Sequence, residues 1–76
     1  MRKSLEHSAL SSIARNRITS LESQRDAHLS RAVRLEAAGR TLPAWEQRQA
    51  ANAVNYRLAV IKRKLAELDF ARRNHG

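Results

Sequence analysis

The chain has 76 residues, no cysteine, and fifteen Lys and Arg against seven Asp and Glu, a formal charge of +8. A chain this short makes one domain and buries only about 60% of its unfolded surface, so its core is thin. Without cysteine there are no disulfides and no thiolate metal sites, which leaves oligomerisation as the common remaining source of stability. The charge excess favours polyanions: nucleic acid, an anionic membrane surface or an acidic protein. No apolar run approaches the roughly 20 residues of a membrane span. The opening Met1-Arg2-Lys3-Ser4-Leu5-Glu6-His7 has positive charge but no apolar segment behind it, so no secretory signal is expected and the cytoplasm is the default setting. Two glycines and one proline in the whole chain favour long helices over strands.

Ser4 is a candidate N-cap for a first helix, with Glu6 in the first turn where a negative charge suits the dipole. Ser8 and Ser11 are competing starts. From Leu10 an apolar stripe runs through Ile13, Ala14, Ile18 and Leu21, and resumes through Leu29, Ala32, Val33 and Leu35. The spacing is helical. Gln24, Arg25 and His28 interrupt it, which makes this helix the less regular of the two.

Ala37-Ala38-Gly39 closes it, with glycine suited to the left-handed C′ position and Arg40 able to serve the last carbonyls. Thr41 or Leu42 then caps a second helix, with Pro43 inside its first turn, where a missing N–H costs nothing. Within Ala44–Arg73, the residues Ala51, Val54, Leu58, Ile61, Leu65 and Leu68 recur at alternating steps of three and four. This is an unbroken apolar seam, the strongest pattern in the chain.

The predicted architecture is all-α: one domain over residues 1–76, with helix 1 about 5–38, a turn at 39–42 and helix 2 about 43–73. So short a connection forces antiparallel neighbours, a coiled-coil-like two-helix hairpin. Each helix is roughly 30 residues, or about 45 Å. With the turn centred on Arg40, residues whose numbers sum to about 82 face one another. Leu68 then meets Ala14, Leu65 lies near Ile18, Ile61 meets Leu21, Val54 meets His28 and Trp45 plugs the turn near Leu35. Helix 2 also carries a weaker stripe on its opposite side, at Ala53, Tyr56, Val60 and Phe70. A hairpin cannot bury both faces of one helix, so Tyr56, Val60 and Phe70 are the expected self-association face of a homodimer with a four-helix arrangement.

Chemistry has little to work with. There is no H-E-x-x-H, no glycine-rich phosphate loop and no paired carboxylates facing a pocket. His7, His28 and His75 lie far apart in sequence, and Glu22 and Asp26 have Arg25 between them. No enzyme activity, metal, cofactor or small-molecule substrate is expected. His28, on the seam, is expected to hydrogen-bond Asn52 or Asn55 across the hairpin.

The basic residues carry more information. Residues 1–20 hold Arg2, Lys3, Arg15 and Arg17 against Glu6, and residues 60–76 hold Lys62, Arg63, Lys64, Arg72 and Arg73 against Glu67 and Asp69. A hairpin gathers both segments at its open end. Arg2–Glu6, Glu36–Arg40, Arg63–Glu67 and Asp69–Arg73 have i,i+4 spacing and can pair within a helix. Arg15, Arg17, Lys62, Arg63 and Lys64 are therefore the expected contacts to nucleic acid or to an acidic partner, Arg63 with a competing claim from Glu67. Membrane binding is not expected, because the apolar seam is used inside the hairpin. Basic hairpins occur among ribosomal proteins and helical-hairpin dimers among small plasmid regulators, an analogy of fold alone. The expected function is a small non-catalytic helical adaptor or regulatory protein acting through protein–protein interaction, of the kind a plasmid or phage carries as an accessory. The alternative is a basic hairpin that binds the phosphate backbone of DNA or RNA.

Overall fold

The computed structural model describes the backbone of residues 2–75 and the side chains of residues 9–74. Two helices account for it: α1, Arg2–Ala37, and α2, Thr41–His75. No strand occurs among the described residues. The fold is an all-α hairpin whose Cα trace measures 57 × 16 × 11 Å. Helical backbone already begins at Arg2, ahead of the expected start near residue 5. The side chains of Ser4 and Glu6, proposed as cap and dipole partner, lie outside the described residues, as does the Arg2–Glu6 pair.

The reversal is tighter than the sequence suggests. Gly39 has a φ of 76°, the left-handed conformation in which a missing Cβ is an advantage. Its N–H donates to the Glu36 carbonyl at 3.0 Å, while the Arg40 N–H reaches back to Leu35 at 2.8 Å. Those two bonds close α1 as a Schellman motif. The Arg40 carbonyl in turn accepts from the Ala44 N–H at 3.2 Å, the first bond of α2. Arg40 is thus the N-cap residue, in place of the predicted Thr41 or Leu42, and the turn occupies residues 38–40 instead of 39–42. Pro43 still falls among the first turn's unpartnered N–H positions, so it breaks nothing.

Burial follows two heptad seams. On α2, Ala44, Ala51, Val54 and Leu58 are buried, and Gln47, Ile61, Leu65 and Leu68 are half-buried. That is the predicted seam, residue for residue, extended back to Ala44. On α1 the seam is Ser11, Ala14, Ile18, Leu21, Arg25, His28, Ala32 and Leu35, all buried or half-buried. Alternating steps of three and four on both helices are the signature of knobs-into-holes packing. Leu10, Ile13 and Val33, which the sequence stripe included, are exposed. Each stands one position from a seam residue, and one position is about 100° of helix. The smaller Ser11, Ala14 and Ala32 take the interface instead.

Leu21, Val54 and Leu58 form the central cluster, with Ile18 and Ile61 packed against it. Toward the turn the seam narrows to Ala32, Ala44 and Ala51, each with no more than 1% exposure. Trp45 does not plug the turn. It is 58% exposed, because the neighbouring Ala44 holds the inward position. Among the described residues, no helix is long and apolar enough to cross a membrane.

Candidate partner-binding surface

Two polar layers interrupt the apolar seam. The His28 Nδ1–H donates to Gln47 Oε1 at 2.7 Å. Arg25 donates from Nε to Asp26 Oδ1 at 3.1 Å and from Nη1 to Asn55 Oδ1 at 3.4 Å. His28 therefore bonds neither Asn52 nor Asn55. Gln47 shares the seam with it, Asn52 faces solvent and Asn55 is taken by Arg25. The Arg25–Asn55 pair lies within two residues of the predicted register, whereas His28 bonds Gln47, seven residues short of its predicted partner Val54. Among the described residues, no buried side-chain polar atom is left without a partner.

The residues flanking the seams define two long edges of the rod, and they differ in charge. One edge is neutral in sum, with Arg15, Arg48 and Lys62 against Glu22, Glu36 and Asp69. Arg48 donates from Nε to Glu36 Oε1 at 2.7 Å. This hydrogen bond holds the Glu36 carboxyl below its ordinary pKa and raises that of Arg48. Glu36 was expected to pair with Arg40 on its own helix; the cross-hairpin partner wins. Heptad steps from this pair along the two helices reach Glu22 and Lys62, then Arg15 and Asp69. Arg15 and Asp69 do line one hollow, together with Arg72 and Arg73.

The other edge is unmatched. Its heptad positions are Arg17, Gln24 and Arg31 on α1 and Ala50, Arg57 and Lys64 on α2, four cations with no acid among them. Arg17 and Arg57 line a shallow hollow of about 330 Å³ with Leu21, Tyr56, Val60 and Ile61. They meet again beside Gln24 in the adjoining groove. Among the described residues, no carboxylate lies within 4.0 Å of Arg17, Arg57 or Lys64.

The five cations singled out from the sequence are all exposed, and they fall into three settings. Arg15 and Lys62 belong to the neutral edge. Arg63 points outward and meets Glu67 at 3.5 Å, the i,i+4 pair predicted for it. Arg17 and Lys64 stand on the unmatched edge. Arg57 is the residue that the sequence reading missed. Its signal is spacing: it precedes Lys64 by one heptad and flanks Leu58 on the seam.

The outer face of α2 is apolar where predicted. Tyr56 is 74% exposed, Phe70 67% and Val60 37%. Among the described residues, no three His, Cys, Asp or Glu come together as a metal set. The side chains of His7 and His75 lie outside the described residues. No family model, curated protein or solved structure significantly matches this chain.

Proposed function

We propose that this protein is a small non-catalytic helical adaptor that works through protein–protein interaction, beginning with its own self-association. The observation that carries this reading is the outward face of α2. Tyr56, Val60 and Phe70 are exposed on a helix whose other face is already spent on the hairpin seam. Three large apolar groups along one helix face favour cover by another helix, since burying such a side chain gains about 1.5–3 kcal/mol. A second copy of the chain is the first occupant, giving a homodimer of two hairpins in a four-helix arrangement. An acidic protein is the next, because a surface of this charge attracts one.

Sedimentation of the chain at micromolar concentration tests the reading. A dimer is expected, and Tyr56→Glu with Phe70→Glu should return it to monomer with its helicity intact. Two chains of +8 repel, so added salt should strengthen the dimer by screening. A compact monomer at every salt concentration overturns self-association.

Nucleic-acid binding is the second reading. It is favoured by a separate observation, the unmatched basic edge.

A further inference from the structure

We infer that the edge carrying Arg17, Arg57 and Lys64 is a docking surface for double-stranded nucleic acid, contacted through its phosphate backbone and without regard to sequence. This rests on the second reading above and names its surface and partner; the surface adjoins the proposed self-association face, since Tyr56 and Val60 line the same hollow as Arg17 and Arg57.

The heptad positions sort the charges unevenly between the two edges. Twelve of the fifteen cations are arginines, and composition alone cannot tell which of them are committed. On the first edge the charges cancel in sum: Arg15, Arg48 and Lys62 share it with Glu22, Glu36 and Asp69, and of these only Glu36 and Arg48 close to an ion pair, at 2.7 Å. On the second edge Arg17 and Arg57 line the same hollow with Gln24 beside them, Lys64 follows Arg57 by one heptad, and no acid holds any of the heptad positions there. Glu67, close to Lys64 in sequence, is engaged by Arg63. A ligand of this edge displaces no internal ion pair.

The spacing is regular. Arg57 and Lys64 are seven residues apart, about 10.5 Å along the helix axis. Arg31 adds a further level toward the turn. These groups stand on a straight two-helix rod, so they are held in line before any ligand arrives. A stiff duplex holds its phosphates in fixed places along each strand, so a row of cations laid along a strand, oblique to the duplex axis, finds acceptors already in order. A flexible single strand would first have to be ordered, and its usual binders supply stacked aromatics, which this edge lacks beyond Tyr56. Guanidinium also suits phosphate geometry, since its donors form a fixed fork. An acidic protein would need carboxylates at matching heptads, a stricter demand than any duplex makes.

Fluorescence anisotropy with a labelled duplex of about 30 base pairs, roughly twice the length of the rod, tests this. Two triple variants remove the same charge from different settings: Arg17→Gln/Arg57→Gln/Lys64→Gln from the unmatched edge, and Arg15→Gln/Lys62→Gln/Arg63→Gln from the rest. All six positions are exposed, so both variants should keep their helical circular dichroism. The unsubstituted chain should bind the duplex more tightly than a single strand of the same length. The slope of log affinity against log salt should fall by about two to three for the first variant and by less than about one for the second. Equal losses from both variants, preference for the single strand, or no binding at low salt would each overturn the inference. Sedimentation of the same variants without nucleic acid reads self-association separately, so failure here leaves the adaptor reading standing and failure there leaves this one.

Discussion

Arg48 on α2 reaches across the hairpin to Glu36 on α1, Nε to Oε1 at 2.7 Å, just behind a three-residue turn. The pair ties the two helices together where they first meet, and its charge makes that tie sensitive to acid. Because the bond holds the folded Glu36 carboxyl below its ordinary pKa, the stability it adds is complete above that ordinary value. The contribution is lost as pH falls through the lowered value of the folded state. Melting temperatures of the protein and of Glu36→Gln, compared from neutral pH down to about pH 3, should converge at the acid end. A gap independent of pH would show that the bond does not form in solution.

Leu58 and Val60 are two residues apart and face opposite ways. Leu58 is 3% exposed at the centre of the core cluster, so Leu58→Ala should cost about 2–5 kcal/mol. Val60→Ala should stay within about 0.5 kcal/mol when the chain is dilute. Urea unfolding midpoints check both. Similar losses at the two positions would mean that α2 turns a different face to α1.

Gly39 tests the turn. Nothing lies within 4 Å of a Cβ placed there, so Gly39→Ala meets no clash and its cost is conformational. A left-handed φ should cost alanine about 1–2 kcal/mol, visible as a lower melting point. Relief is available by straightening residues 38–40 into one continuous helix that pairs with a second chain. In the Tyr56→Glu/Phe70→Glu background, where hairpins should stay monomeric, adding Gly39→Ala should produce a domain-swapped dimer on size-exclusion chromatography.

The His28–Gln47 layer should behave as a unit. His28→Leu alone strands the Gln47 amide oxygen and should lower the melting point. Adding Gln47→Leu should recover the loss or exceed it, since matched apolar residues suit a seam. Additive losses in the double variant would show that the two side chains do not interact.

The α2 seam was legible because its interface residues are also its largest apolar ones, so period and burial coincide. In α1 they do not. Ser11, Ala32, Arg25 and His28 occupy the interface while Leu10, Ile13 and Val33 face solvent, and a count of hydrophobic residues picks the wrong side. Only the position of a partner helix resolves that. Trp45 misleads in the same way: it looks like a plug because it is large, but Ala44 is the residue that the narrow closed end admits. For the basic surface, charge summed by segment found the open end but not the two edges. An edge is a relation between helices, and one residue of register decides which cation faces an acid. Arg57 was overlooked because it lies outside the two charge-rich segments, yet it shares an edge with Lys64.

The fall in burial along the α2 seam from Leu58 to Leu68 has a mechanical consequence. Alanines sealed at 1% exposure or less sit near the turn, while Ile61, Leu65 and Leu68 stay half-open toward the far pole. Cohesion is therefore lowest where the helices are tied least, and the molecule should part like a clothes-peg, jaws first and spring last. Amide exchange along α2 should quicken steadily from Ala51 toward Leu68, with both helices keeping their hydrogen bonds longest beside the spring.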